Sequence, residues 1–199
     1  MKRLFDIIFS FIGLVLLLPF FLTIGLLISL DSRGGIFYKQ VRVGINGKDF
    51  LLLKFRSMRT DADKNGLLTV GGRDSRITRV GYFIRKYKLD ELPQLINVLV
   101  GEMSLVGPRP EVRKYVNLYN NEQKMVLSVK PGITDYASIE YSNENELLGK
   151  AQNPEQVYID EIMPAKLQLN LKYIAEQGMV TDFKIILNTL LKIVRVSSS

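Results

Sequence analysis

Residues 7–30 read IIFSFIGLVLLLPFFLTIGLLISL and contain no charged side chain. As one straight α-helix this run would be about 36 Å long, which is enough to cross a hydrocarbon core of about 30 Å. The run is longer than the apolar core of a cleaved signal peptide, which is about 7–15 residues, and no small-residue cleavage site follows it. The stretch therefore predicts a segment that inserts into a membrane.

Pro19 lies at the centre of this run and leaves two topologies open. A proline removes one backbone hydrogen bond and clashes with the preceding turn, so it bends or breaks a helix. Two arms of about 12 residues would each reach about 18 Å, enough to enter one leaflet and return. Basic residues flank both ends of the run, which gives little charge asymmetry. On local sequence alone, a re-entrant helix broken at Pro19 and a kinked spanning helix both remain open.

Composition limits the chemistry of the rest of the chain. The 199 residues carry a formal charge of +7, and residues 1–60 hold nine Lys or Arg against three Asp. This local excess indicates an anionic partner, such as lipid headgroups, phosphates or nucleic acid. Because the sequence contains no Cys and no His, it excludes disulfides, a thiolate nucleophile and a Ser-His-Asp triad. Catalysis would have to use Asp, Glu, Lys, Arg, Tyr, backbone groups or a hard metal ion.

Downstream of the apolar run, the patterns predict an α+β fold that is mostly helical. Residues 36–43 and 50–55 are rich in β-branched, aromatic and leucine side chains around Asn46-Gly47, which predicts a short β-hairpin. Helices are predicted at about 79–88, 92–100, 111–128, 154–176 with an interruption near Pro164, and 181–195. The last is amphipathic, so it packs on the core or lies at the membrane surface.

The densest group of candidate site residues is RKYKLDELPQL at 85–95, where Asp90 and Glu91 precede Pro93 and an apolar run. One interpretation is structural, because acidic residues and proline favour a helix N-terminus. The other is chemical. One carboxylate could attack phosphorus while its neighbour binds a divalent cation that screens the charge.

Three further patterns contain candidate binding residues. In GEMSLVGPRP at 101–110, two prolines restrict the backbone around Arg109, which suits a phosphate clamp or a solvated turn. DADKNG at 61–66 matches the first half of a calcium-binding loop, but its twelfth position is Gly72 instead of a bidentate Glu. Arg73, Arg76 and Arg79 lack interleaved aromatic residues, so no nucleic-acid partner is predicted.

Four motifs follow the basic-flanked apolar run in one order: KFRSM at 54–58, LDELPQL at 89–95, SLVGPRP at 104–110 and KPGIT at 130–134. From Lys2 to about Ile193 the chain closely resembles the bacterial sugar transferase family, the monotopic phosphoglycosyl transferases. The resemblance implies that Asp90 attacks the β-phosphorus of a UDP-sugar and that UMP leaves. Polyprenyl phosphate, usually undecaprenyl phosphate, would then attack the covalent phosphosugar-aspartyl intermediate to give a polyprenyl-diphosphate sugar.

The same resemblance implies the remaining site residues and the cofactor. Glu91 would be the Mg²⁺ ligand beside the nucleophile. Lys54, Arg85 and Arg109 match positions that bind phosphate or organise the site, and Asp182 matches an acidic position before the last helix.

The resemblance also implies where the enzyme works. Residues 1–32 would form a re-entrant membrane helix broken at Pro19, and residues 33–199 a compact catalytic domain with interfacial amphipathic helices. The site would face the cytoplasm at the bacterial inner membrane, among membrane lipid. The enzyme would carry out the first membrane step of surface polysaccharide or glycoconjugate synthesis. A second copy of the chain, in a homodimer, and downstream glycosyltransferases are the candidate protein partners.

Some positions depart from the usual family pattern. Leu18 replaces the serine that often precedes the helix-breaking proline, residues 134–139 read TDYASI, and Leu169-Asn170 replaces a Tyr-Asp pair. The sugar is therefore not predicted. Two other functions remain open: a catalytically silent membrane-attached protein that binds anionic lipid or polymer, and direct transfer with Asp90 as a base.

Overall fold

The computed structural model describes residues 1–60, 62 and 74–197, and over these residues the chain is a mostly helical α+β protein. The strands are β1 Phe37–Val43, β2 Asp49–Phe55, β3 Ser104–Val106 and β4 Gly132–Thr134. The helices are α1 Lys2–Asp31, α2 Arg79–Lys86, α3 Gln94–Val100, α4 Arg113–Val116, α5 Tyr136–Glu140, α6 Glu144–Gly149, α7 Pro154–Val157, α8 Met163–Glu176 and α9 Met179–Ser197.

The predicted hairpin is confirmed. Strands β1 and β2 pair antiparallel, from Phe37 opposite Phe55 to Val43 opposite Asp49. In the turn between them, Asn46 has φ 55° and Gly47 has φ 71°. Asn and Gly enter this left-handed region at the lowest cost, which explains why they stand here.

A second sheet was not predicted. Strands β3 and β4 pair in parallel, with Ser104 opposite Gly132 and Val106 opposite Thr134. Strands of three residues are too short for an alternating pattern to show in the sequence. A side chain on Gly132 would collide with the backbone of Gly107, so these glycines permit the close approach of the two segments. The sheet thereby brings the SLVGPRP and KPGIT motifs together.

Most of the predicted helices are found, and one prediction is wrong. Residues 111–128 form only the short α4 and a 3₁₀ segment, Gln123–Ser128, instead of one helix. The side chains of Asn120 and Gln123 each accept a hydrogen bond from the other's backbone N–H, at 2.8 and 2.9 Å. This reciprocal cap ends one helical segment and starts the next. The predicted interruption near Pro164 is a π-helical segment, Tyr158–Ile162, directly before α8.

Helix α1 continues through Pro19 as one element, so the predicted break does not divide it into two helices, and a bend at this residue stays a prediction. Proline removes only one backbone hydrogen bond, and the helical turns on both sides keep theirs. The Thr23 hydroxyl donates to the Pro19 carbonyl oxygen at 2.9 Å. The described structure therefore has one continuous apolar helix of 30 residues, long and apolar enough to cross a membrane by length and composition.

Helix α1 presents two different sides along its length. Its buried positions are Asp6, Ser10, Ile24, Gly25 and Ile28, which lie on one stripe at helical spacing. This stripe packs on the rest of the chain, where Ile24 and Ile28 meet Phe55 and Ile84. The opposite side is apolar and exposed, through residues such as Leu4, Phe11, Leu16, Leu22 and Leu30.

The N-terminal end of α1 is bound to the globular part of the chain by charged groups. Lys2 forms an ion pair with Asp182 and donates to the Val106 carbonyl at 3.0 Å. Arg3 donates to the Leu99 carbonyl at 2.8 Å. Asp6 is buried and accepts from the Leu105 backbone N–H at 3.0 Å.

The C-terminal end of α1 is bound to the same part. Asp31 accepts from the Val80 backbone N–H at 3.0 Å. Buried Arg56, which follows β2, donates to the Ser32 carbonyl at 2.7 Å and also to the Arg33 carbonyl. Both ends of the apolar helix are therefore attached to one globular body.

Helix α9 packs on the core, which was one of the two predicted positions; a place at the membrane surface stays a prediction. Asp182 and Ile185 face the core, where Ile185 packs with Val106 and Tyr173. A second apolar side is exposed and includes Val180, Phe183, Leu187, Leu190 and Leu191.

Candidate active site

Asp90 and Glu91 lie in a 3₁₀ turn, Leu89–Glu91, between α2 and α3. Lys88 precedes the turn with φ 56°, which reverses the chain after α2. Pro93 is the cap residue of α3, and that helix has no side-chain cap hydrogen bond. The interpretation of the acidic pair as a helix cap is therefore wrong, and the pair is available for another role.

Glu91 is held between two cations from separate elements. Arg109 Nη1 donates to Glu91 Oε2 at 3.0 Å, and Arg109 Nη2 bonds Oε1 more closely. Lys54 Nζ, from β2, donates to Oε1 at 3.3 Å. Burial opposes ionisation of Glu91, but the charges of Arg109 and Lys54 outweigh it and hold the pKa of Glu91 well below its usual range.

Asp90 has the opposite environment. It is 6% exposed, and no donor among the described residues makes a hydrogen bond to its carboxylate. Burial and then the neighbouring charge of Glu91 raise the pKa of Asp90 above its usual value, while Lys54, Arg85 and Lys88 oppose the rise. The two adjacent carboxylates therefore differ in kind: Glu91 is a paired anion, and Asp90 is left without a bonded partner beside several cations.

Two cavities meet at Asp90. The first, of about 250 Å³, is also lined by Glu91 and Arg109 and extends towards α5, α6 and α8. The second, of about 380 Å³, lies against the hairpin and the segment that follows it. Their shared lining residues are Arg42, Lys54, Arg85 and Asp90. A carboxylate at this junction can be reached from both cavities, with fixed positive charges around it for anionic groups.

Most of the predicted site residues come together, and Asp182 does not. Lys54, Arg85, Asp90, Glu91 and Arg109 all line the first cavity. Asp182 lines neither described cavity and instead pairs with Lys2 and accepts from the Tyr173 hydroxyl at 2.8 Å. It links α9 to the start of α1, and its prediction as a substrate-binding residue has no support in this placement.

The sequence model of the family described as "Bacterial sugar transferase" matches residues 1–196 of the 199-residue chain. The chain belongs to this family. It is therefore an enzyme, a sugar-1-phosphate transferase.

Three relatives illustrate what this transferase is similar to. The exopolysaccharide production protein PSS of Rhizobium leguminosarum bv. phaseoli is 39% identical over 196 residues, which covers 95% of this chain and 92% of the relative. The UDP-glucose:undecaprenyl-phosphate glucose-1-phosphate transferase of Escherichia coli (strain K12) is 36% identical over 96% of this chain, which spans 40% of that relative.

The third relative is the UDP-N-acetylgalactosamine-undecaprenyl-phosphate N-acetylgalactosaminephosphotransferase of Aeromonas hydrophila. It is 42% identical over 141 residues, which covers 69% of this chain and 33% of the relative. The last two relatives are named for different sugars, so similarity at this level does not assign a sugar to this transferase.

Asp135 is a site-forming residue of the transferase that sequence reasoning missed. It is fully buried and caps α5, since its Oδ1 accepts from the Ser138 N–H at 2.6 Å. Its Oδ2 accepts from the Arg109 N–H at 3.1 Å, so the same carboxylate holds the loop that carries Arg109. The N-cap position of Asp135 was a detectable signal, whereas its bond to Arg109 depends on the unpredicted β3–β4 sheet.

The donor atoms beside Asp90 suit Mg²⁺ only in part. Mg²⁺ is bound typically through one or two carboxylates together with substrate phosphates and water. Asp90 and Glu91 supply two carboxylates, and no group of three or more His, Cys, Asp or Glu side chains that could hold a metal occurs among the described residues. Glu91 already pairs with Arg109 and Lys54, so a cation would share or displace these partners.

Two other sequence patterns have different outcomes. The calcium hypothesis for residues 61–66 lies outside the described residues apart from Ala62, as does Arg73. Arg76 pairs with Asp74 at 2.6 Å, and Arg79 begins α2.

Proposed function

We propose that this transferase moves a sugar-1-phosphate from a UDP-sugar to polyprenyl phosphate through a covalent phosphosugar-Asp90 intermediate. The names of two relatives specify undecaprenyl phosphate as the acceptor. The observation that carries the proposal is the contrast between the two adjacent carboxylates. Glu91 is fixed in an ion pair, while Asp90 lies without a hydrogen-bond donor, among the described residues, at the junction of two cavities.

The first step forms one bond and breaks another at the same phosphorus. An Asp90 carboxylate oxygen attacks the β-phosphorus of the UDP-sugar, and the bond from that phosphorus to the bridging oxygen breaks. The electron pair leaves with UMP, and the sugar phosphate is held on Asp90 as an acyl phosphate. In the second step, a phosphate oxygen of the lipid attacks the same phosphorus, which frees the Asp90 carboxylate.

The cations of the site make these steps possible. A carboxylate and a diphosphate repel each other, so attack requires that nearby positive charge offset both. Lys54, Arg85 and Arg109 line the cavity beside Asp90 and suit this task, Arg109 through its planar fork. Because Glu91 holds Lys54 and Arg109 in place, it organises the phosphate-binding charges even though it does not attack.

A divalent cation completes the proposed donor site. Glu91 is the proposed Mg²⁺ ligand, with the diphosphate of the donor supplying further oxygens. When bound, Mg²⁺ would neutralise charge on the diphosphate and favour the departure of UMP.

The proposed setting is the cytoplasmic face of the bacterial inner membrane, with α1 inserted as a re-entrant helix. A spanning helix would place its two ends on opposite sides of a hydrocarbon core of about 30 Å. In α1, Lys2 and Asp31 bind the same globular body at the two ends, which favours both ends on one side. The exposed apolar sides of α1 and α9 supply the surface that would face lipid.

The test is turnover by purified protein with undecaprenyl phosphate, Mg²⁺ and a panel of UDP-sugars. We expect release of UMP and formation of a lipid-diphosphate sugar with at least one donor. Asp90→Asn should lower this rate by about a thousandfold or more, because a nucleophile is lost. Asp49→Asn, at an exposed aspartate of the hairpin, is the control and should retain wild-type activity.

Two results would contradict the proposal. Asp90→Asn turnover within a few fold of wild type would favour a non-catalytic role for this residue. Absence of UMP release with every donor would favour the alternative of a protein that only binds anionic lipid or polymer.

A further inference from the structure

Two buried polar atoms in the wall of the first cavity have no hydrogen-bond partner among the described residues. They are Oγ of Ser138, on α5, and Oδ1 of Asn170, on α8. Asn170 is only 6% exposed, so bulk water does not solvate its side chain. A buried polar atom without a partner costs free energy, and native proteins normally meet that need with a ligand or an ordered water.

Several charged or hydroxyl side chains of this cavity are already paired. Lys166, one helical turn before Asn170, forms an ion pair with Glu144 at 2.7 Å. The Tyr158 hydroxyl bonds Glu111, which also pairs with Arg42 at 3.0 Å. Among the described residues that line this cavity, the buried side-chain atoms left without a partner are those of Ser138 and Asn170, on two helices that pack against each other.

Ser138 is connected to the phosphate clamp through one side chain. Asp135 accepts from the Ser138 N–H and from the Arg109 N–H with its two carboxylate oxygens, at 2.6 and 3.1 Å. The position of α5 is thereby fixed relative to Arg109, which reaches Glu91 beside the proposed nucleophile. A ligand with a phosphate at Arg109 would place its nearest neighbouring group against α5.

Given the proposed function, that neighbouring group is the sugar of the donor. The sugar is bonded directly to the phosphate that Asp90 attacks, whereas uracil is separated from it by a second phosphate and a ribose. Sugar hydroxyls both donate and accept, so they can satisfy the Asn170 oxygen and the Ser138 hydroxyl alike. An acetamido group can donate to the Asn170 oxygen through its N–H.

We propose that Ser138 and Asn170 form the sugar subsite of this transferase and determine which UDP-sugar it uses. The subsite is neutral, lies in the cavity wall formed by α5 and α8, and supplies an amide and a hydroxyl for hydrogen bonds to the sugar ring substituents. A site that hydrogen-bonds a substrate group rejects analogues lacking it, because its own buried polar atoms are then left unpaired.

The experiment compares Ser138→Ala and Asn170→Leu with wild type on four UDP-hexoses that differ in the C2 substituent and in the configuration at C4. For each pair we would measure kcat/KM by UMP release, together with the inhibition constant of UMP. Ser128→Ala and Asn117→Leu, at exposed positions that line neither described cavity, are the matched controls.

We expect each subsite variant to change the ratio of kcat/KM between the best and second-best donor by about tenfold or more, the effect of one lost hydrogen bond of good geometry. The inhibition constant of UMP should stay within about twofold of wild type, because UMP lacks the sugar; that constant also shows that the variant is folded.

The proposal is overturned if kcat/KM falls by the same factor for every donor, if no ratio changes, or if UMP inhibition weakens in parallel, which would place uridine against these residues. If Asn170→Leu does not fold, the smaller change Ser138→Ala decides. Failure of the proposed function would look different, since wild type itself would then release no UMP from any donor.

Discussion

At the scale of single residues, two neighbouring carboxylates differ because, among the described residues, only Glu91 has hydrogen-bond and ion-pair partners. The charges of Arg109 and Lys54 hold the pKa of Glu91 low, whereas burial and the charge of Glu91 raise the pKa of Asp90. The order of the motifs predicted Lys54, Asp90, Glu91 and Arg109 as one group, and the structure brings them to one cavity. The sequence could not predict how Asp90 and Glu91 differ, because that difference depends on side chains far apart in the sequence.

This difference predicts opposite effects on stability. The pKa of Asp90 is raised in the folded state, so its ionised form costs stability at neutral pH, and Asp90→Asn should raise the thermal unfolding midpoint. Glu91→Gln should lower it, since removing one partner of a buried ion pair costs about 3 kcal/mol. Thermal melts in detergent at pH 7 measure both.

The pH dependence checks the sign of each effect. The gain from Asp90→Asn should vanish below the ordinary aspartate pKa, where the wild-type carboxyl is protonated in both the folded and the unfolded state. The contribution of Glu91 is present above its unfolded pKa and should be lost as pH falls through its depressed folded pKa. Stabilisation by Glu91→Gln at pH 7 would refute this description of the pair.

The raised pKa of Asp90 also predicts the acid limb of the reaction. Only the carboxylate attacks, so UMP release should fall as pH drops through an apparent pKa above the ordinary value of 3.8. Lys88→Gln removes a charge that lowers the pKa of Asp90 and should move this limb to higher pH. Lys86→Gln, two residues away, is the control. An acid limb that Lys88→Gln moves to lower pH would contradict the assignment.

At the scale of elements, the short β3–β4 sheet assembles the site, and it was the element least visible in the sequence. Hairpin β1–β2 has a turn signal in Asn46-Gly47 and long apolar strands, so local sequence predicts it. Strands β3 and β4 have three residues each, and their pairing depends on contact between the backbones at Gly107 and Gly132. The predicted helix at 111–128 failed for a related reason, because side-chain caps at Asn120 and Gln123 interrupt an otherwise apolar pattern.

Asp135 tests whether this assembly matters for catalysis. Asp135→Asn leaves one acceptor in place of two, which should loosen either α5 or the Arg109 loop. We expect kcat/KM to fall about tenfold, mainly through KM for the UDP-sugar, and stability to fall by about 1 kcal/mol.

Asn153→Ala is the matched control for Asp135. Asn153 also caps a helix, accepting from the Gln156 N–H at 3.2 Å, but it lines neither described cavity. This variant should lose a similar amount of stability and no activity. Equal losses of activity in both variants would show that Asp135 acts only as a helix cap.

At the scale of the whole molecule, one helix joins an exposed apolar surface to a globular site. The apolar length of α1 was predicted from composition, and its path could not be, because it depends on Lys2, Asp6 and Asp31 meeting partners near 182, 105 and 80 in the sequence. These bonds explain why a helix long enough to span a membrane is attached to one body at both ends.

Labelling of single cysteines tests this topology, since the chain contains none of its own. In sealed inside-out membrane vesicles, a membrane-impermeant maleimide should label both a cysteine in an N-terminal extension and Lys39→Cys. Leu16→Cys, on the exposed apolar side of α1, should react only after detergent is added. Labelling of the N-terminal cysteine from the opposite side would mean that α1 spans the membrane.

The covalent bond between Asp90 and the sugar phosphate is tested most directly by intact-protein mass spectrometry in the absence of lipid acceptor. With its UDP-sugar and Mg²⁺, the intact protein should gain the mass of one sugar phosphate, and digestion should place this gain on the peptide that contains Asp90. About one UMP should be released per active site, as expected for a covalent intermediate. Unmodified Asp90 and no UMP under these conditions, in a preparation that turns over once polyprenyl phosphate is added, would contradict the account and establish direct transfer.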